Sequence, residues 1–295
     1  MESIKFLNLD CVELSNPAIS LLVTRSVGPR LISLTPAGGE NLLAELSDAV
    51  LDCPGKGGLH LYGGHRLWHA PEEPGRTYLP DDQPVEVESI EGGLRATQPV
   101  EEETGIQKTI EVKLHASEPE LELNHTLSNQ GMWPVTCAPW AITQIKTGGI
   151  AILPQYTGLA DDNPTLPNRV ITLWPYTDIA GPHITWGNDH IMIRADMASG
   201  ALKIGFPNPR GWLAYWREKT LFVKRATYIE TADYFDHGSS SECYCNQDFI
   251  ELETLGPITN IQPGGSVSHV ERWEVITDVE WPKKTEDLIA RIEGR

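Results

Sequence analysis

Residues 106–129 alternate between apolar and polar positions on both sides of a short break. In QKTIEVKLH, Ile110, Val112 and Leu114 share one face; ASEPE turns the chain; in LELNHTLSN, Leu121, Leu123, His125 and Leu127 share one face. Successive side chains of a strand point to opposite sides, so this pattern predicts a β-hairpin. VEVESIEGGLRATQPV repeats the pattern around Glu91-Gly92-Gly93, and GWLAYWREKTLFVKRATYI repeats it around Glu218-Lys219-Thr220. Further strands read at RLISLTP, VTCAPWAITQI, IAILPQ, VITLWPY, HIMIRAD, DFIELETL and SVSHVERWEVI. Helical spacing is confined to NLLAELSDAVL and the tail TEDLIARI. Many strands, few short helices and 22 prolines predict an all-β antiparallel protein, a large sandwich. The 295 residues show no low-complexity segment, long linker or short repeat. A single domain over residues 1–291 is expected, and the closing IEGR, which matches a protease-cleavage sequence, is given no part in it.

Composition narrows the partners. Acidic residues outnumber basic ones by 41 to 23, a formal charge of −18. Such a surface repels phosphate backbones and anionic lipid, so neither nucleic acid nor a membrane is expected as a partner. A local basic pocket could still hold one phosphate. No apolar run approaches the roughly 18 residues of a membrane span, and MESIKFLNLDCVELSN lacks a signal pattern, which predicts a cytoplasmic protein. Five cysteines, an odd number, fit reduced thiols. Cys243 and Cys245 have no second pair at zinc spacing and read as two thiols on one strand face.

Two stretches carry chemistry. In FIELETL, Phe249, Glu251, Glu253 and Leu255 share one face, with Ile250 and Leu252 on the other. The two carboxylates stand about 7 Å apart by strand rise. Facing solvent they are an ordinary wet face. Lining a cleft, each disfavours ionisation of the other and burial adds to that, which suits a base working near neutral pH. The second stretch is LHLYGGHRLWHAPEEPGRTYLPDD, residues 59–82. His65 and His69 have the H-x-x-x-H spacing of a helical metal site, but Gly63-Gly64 precede them, Pro71 and Pro74 follow, and Arg66 stands where a glutamate is expected. No metal is expected there. A loop carrying a sugar platform fits better: Trp68 covers the C–H face of a pyranose, while Arg66, His65, His69 and Arg76 bond its hydroxyl edge. Gly63 and Gly64 allow close backbone approach. The competing reading is a rigid surface loop whose arginines pair with Glu72, Glu73, Asp81 and Asp82.

Other residues read as structural. His125 alternates with leucines and belongs in the core. Trp140, Trp174, Trp186, Trp212 and Trp216 read mainly as core filling. Asp161, Asp162 and Asn163 form a turn cluster that could also reach a hydroxyl.

The sequence resembles the aldose 1-epimerase (galactose mutarotase-like) family. Leu252-Glu253-Thr254, then Pro263-Gly264, then the strand with Trp273 follow that family's order of a Leu-Glu-Thr strand, a Pro-Gly loop and a closing strand. SSSECYCN lies where the family has a Gln-x-Tyr strand, LSNQGMWPVTCAPWAITQI is similar to its central strand pair, and SVGPRLISLTPAGGENLLAEL to its opening strands. The resemblance implies a β-supersandwich with a sugar site on its concave face. It implies Glu253 as general base. The family's acid, a histidine, falls on Trp140, and Leu255 replaces a family glutamine.

The expected chemistry is interconversion of sugar anomers without metal or cofactor. A base takes the anomeric hydroxyl proton, an acid protonates the ring oxygen, and the ring opens and recloses. Glu253 is the expected base. His69 or His65 is the displaced acid, with His183, His190 and His237 competing. Arg66, Trp68, Arg76, Trp140 and Glu251 are the expected substrate contacts, and a small carbohydrate the expected partner. Two alternatives stand: a sugar-binding protein without catalysis, and another carbohydrate enzyme, an epimerase, hydrolase or lyase, using Glu251 with Glu253.

Overall fold

The computed structural model describes residues 3–53, 57–158 and 165–294. Among the described residues, two large antiparallel sheets, one of eleven strands and one of ten, make up most of the fold. At the centre of the first sheet, five strands follow in the order His65–Ala70, Val135–Lys146, Phe249–Leu255, Ser241–Asn246 and Ala201–Phe206. The second sheet holds the three hairpins anticipated from alternation, including Ile106–Leu114 against Glu120–Asn129. The all-β sandwich is thus the observed architecture. No helix among the described residues is long and apolar enough to cross a membrane.

Alternation decides what lies between the sheets. Ile250 and Leu252 enter one apolar core with Leu123, Phe222, Trp273 and Val275 of the second sheet. Phe249, Glu251, Glu253 and Leu255 therefore emerge on the opposite, outer face of the first sheet. All five cysteines are buried free thiols.

Between the sheets lies a polar chain. Lys224 Nζ, wholly buried, sits 2.9 Å from Glu271 Oε1 and donates to Thr143 Oγ1 and to the carbonyls of Ala141 and Leu252. Glu271 also accepts from the Trp273 indole and the Thr254 hydroxyl. His125 Nδ1 donates to the His269 carbonyl, so in a neutral ring its Nε2 must accept, and the donor is His65 Nε2 at 2.7 Å. His65 Nδ1 then accepts from Thr143. One consistent set of neutral tautomers satisfies both ring nitrogens of His65 and of His125. His65, His125 and Glu271 approach one another closely. The 2.7 Å between the two nitrogens is a hydrogen bond, however, and is shorter than the ~3.3 Å that tetrahedral zinc keeps between its ligand atoms.

Two local expectations are corrected. Residues 41–51 are not helical: Glu45–Cys53 pairs with Gly57–Gly63 as a separate two-stranded hairpin, so its hydrogen bonds go to a partner strand. His65–Ala70 is not a loop but a strand buried at all six positions. Gly63 and Gly64, at φ of 91° and 74°, make the sharp entry into it; a Cβ on either would lie 1.9 Å from the Ala44 carbonyl oxygen or 2.2 Å from that of Leu31. The tail is helical as expected, over Thr285–Glu293. Ile292 is fully buried and its carbonyl accepts from Arg225.

Candidate functional site

Register places the outer-face residues in rows. Gln144 lies opposite Glu251, and Tyr244 flanks Glu251 on its other side with Lys203 beyond it. In the next row Ile142 and Glu242 flank Glu253, with Arg66 beyond Ile142. Trp68 is opposite Trp140. These rows floor a cleft of about 480 Å³. Its walls include Tyr78, Tyr176, Tyr244 and Phe249, with Glu72, Asn246 and Asp248 at polar positions and Val50 and Leu51 of the 45–63 hairpin at the rim.

Glu251 reaches the cleft. Its Oε1 accepts from Gln144 Nε2 at 2.9 Å, and Arg66 Nη2 stands 3.7 Å away, an ion pair without a hydrogen bond. Burial, and then repulsion by Glu253, push its carboxyl up to about 7 against the pull of Arg66 and Lys203. Arg66 lies over the Trp68 ring at 3.8 Å, and burial, followed by repulsion from Arg30, lowers it to about 10.

Glu253 is on the expected face but does not line the cleft. It is 0% exposed. The Trp140 indole donates to its Oε2 at 2.6 Å, and Lys203 Nζ donates to the same oxygen at 3.0 Å. The lysine also stands 2.7 Å from Glu242 and 4.7 Å from the rings of both Trp140 and Trp174. Burial alone would lower Lys203, but Glu242 and Glu253 outweigh it and hold it well above the ordinary lysine range. Burial drives Glu242 up. One lysine thus sits between two buried carboxyls, and Trp140 covers one of them.

Of the expected site residues, the structure brings Arg66, Trp68, Trp140 and Glu251 together at the cleft. It does not bring His65 or His69 there. Both alternate with Arg66 and Trp68 along the strand and so point between the sheets. His65 bonds Thr143 and His125, and His69 lies 3.4 Å from Glu101. Burial lowers both imidazoles, leaving them neutral in the interior. Arg76 is also displaced: it reaches the Ala70 carbonyl and lines a separate shallow pocket with Phe235. His183 pairs with Asp196 and the buried His190 with Asp189, and neither they nor His237 line the cleft. Asp161, Asp162 and Asn163 lie outside the described residues. Sequence reading missed Lys203, Glu242 and Gln144. The usable signal was a lone charge in an apolar strand, as in ALKIGF and SECYC.

The paired sheets form an all-β sandwich with the fold of galactose mutarotase-like proteins. Three solved structures share it. A galactose mutarotase-like protein from Lactobacillus casei aligns over 90% of this chain and 100% of its own, at TM-score 0.59 and 11% identity. A galactose mutarotase related enzyme from Lactobacillus acidophilus aligns over 93% and 100%, at TM-score 0.55 and 10% identity. A TPR-domain containing protein from Parabacteroides distasonis aligns over 93% of this chain at TM-score 0.64 and 14% identity; this chain spans 48% of that one. At such identities the likeness establishes the fold alone. No protein-family model matches the sequence, and no curated protein matches it.

Proposed function

We propose that the cleft binds a monosaccharide-sized carbohydrate and exchanges protons with it through Glu251, in the manner of an anomer-interconverting isomerase. The observation that carries this is the placement of Glu251. It is the carboxyl on the cleft floor held near neutrality, amid aromatic rings and hydrogen-bonding groups suited to a pyranose. A carboxyl at about 7 is ionised in part of the population and protonated in the rest, so it can take a proton at one step and return it at another.

The reaction balances with no other reagent. Glu251 takes the proton of the anomeric hydroxyl as the bond from the anomeric carbon to the ring oxygen breaks. Glu251 passes that proton on to the ring oxygen, the open aldehyde turns about one bond, and the same transfers run in reverse as the ring recloses. Arg66 stabilises negative charge developing on the ring oxygen. Glu253, beneath Trp140 and Lys203, is assigned no proton transfer. A second reading, binding without turnover, is favoured by one specific feature: among the described residues, none lining the cleft is a histidine.

The test follows relaxation of freshly dissolved α-anomers of a sugar panel by NMR. Acceleration by wild type and its loss in Glu251→Gln, with Glu253→Gln compared alongside, supports proton transfer at Glu251. Chemical-shift changes on binding without acceleration support the binding reading. Neither effect for any sugar rejects both.

A further inference from the structure

The charge around the cleft is unbalanced. Glu72, Asp248 and Glu251 line it, and Glu242 and Glu253 lie directly beneath, against Lys203. Among the described residues two cations, Arg66 and Lys203, stand against these five carboxyls, of which burial drives Glu242 toward its neutral form. Lys203 is already committed to the two carboxyls below the floor, at 2.7 and 3.0 Å. Arg66 is the cation nearest Glu251, but at 3.7 Å it makes an ion pair without a hydrogen bond, and its Nε and Nη1 are turned away from solvent. Asp248 has Gln247 as a side-chain donor, and Glu72 has the Tyr78 hydroxyl; both donors are neutral. An anionic sugar would enter a negative field, within a molecule of net charge −18. A positive group would meet carboxylates at the floor and the electron-rich faces of Tyr176 and Tyr244, which stand 6.2 Å apart at 77°.

We propose that the cleft selects a cationic sugar, an amino sugar with a free ammonium, over its neutral and anionic counterparts. This rests on the reading of the cleft as a carbohydrate site and names its ligand class. The ammonium sits against Glu251 and Asp248. The groups facing Glu251 are Arg66 and Gln144 on two strands, Tyr244 and Lys203 on two others, and Glu253 on its own strand. A fixed positive charge arriving beside Glu251 favours its ionised form, so binding displaces a proton.

Isothermal titration at pH 6.5 with glucosamine, N-acetylglucosamine, glucose and glucuronate tests this. Running it in two buffers of different ionisation heat counts the protons. The expected result is at least tenfold tighter binding of glucosamine than of N-acetylglucosamine. Release of a fraction of a proton per site, weakening in salt, and a smaller preference in both Glu251→Gln and Asp248→Asn are also expected. Having two variants, one at the buried Glu251 and one at the exposed Asp248, keeps the test valid if one fails to fold. Equal affinity for glucosamine and N-acetylglucosamine, or tighter glucuronate, overturns the inference while leaving the carbohydrate reading intact. No heat with any sugar overturns both.

Discussion

Arg66 shows how the site is tuned one residue at a time. It lies flat on Trp68 and supplies the positive charge closest to Glu251. Its field holds the Glu251 carboxyl lower than burial and Glu253 would leave it. Arg66→Ala should therefore move the pH midpoint of any Glu251-dependent property upward from about 7, by on the order of one pH unit. Arg66→Lys should move it less, because a charge remains even though the planar stack is lost. The pH profile of anomer relaxation, or of sugar affinity, measures this; a downward shift in Arg66→Ala would refute the assigned coupling. The shared face of Glu251 and Glu253 was legible from alternation alone. The difference between them was not. It depends on Lys203 and the Trp140 indole arriving from other strands, and no spacing within FIELETL encodes which carboxyl they cover.

At the scale of single elements, the hairpins were readable because one face of each is buried and the other wet. The strand His65–Ala70 was not readable, because it is buried on both faces and its polar residues occur on each. Arg66 faces the cleft and His65 the inter-sheet chain. A run of His, Arg, Trp and His between glycines and a proline looks like a functional loop for that reason. Residues 41–51 misled differently: Leu42, Leu43, Leu46 and Val50 fall at helical spacing, yet pairing with Gly57–Gly63 overrides it. The buried chain that holds His65–Ala70 to the second sheet makes its own prediction. Lys224→Ala leaves the Glu271 carboxylate unpaired between the sheets and should cost roughly 3–5 kcal/mol in urea unfolding. The double replacement Lys224→Met with Glu271→Gln removes both charges and should recover a large part of that loss. If the double variant is as unstable as the single one, charge is not the reason.

Across the whole molecule, buried titrating groups set opposite dependences of stability on pH. His65, His125 and His269 are neutral because burial depresses them, His269 to about 4. The unfolded chain binds protons at these positions near pH 6.5 while the folded chain does not, so their contribution is present above 6.5 and lost as pH falls. Glu251 runs the other way. Its folded pKa of about 7 lies above the unfolded 4.5, so the folded state holds a proton that the unfolded state releases. That costs nothing below pH 4.5 and grows to at most about 3 kcal/mol at pH 7 and above. Glu251→Gln removes this penalty. The variant should be more stable than wild type at pH 8, by up to about 3 kcal/mol, with the advantage shrinking to nothing near pH 4.5. Urea midpoints from pH 4.5 to 8 measure the difference, and an advantage that is absent at pH 8 would show that the cleft does not strain this carboxyl. Glu251 thus destabilises the fold where it ionises, at a floor position that opens to the cleft, a cost that the sandwich itself does not require.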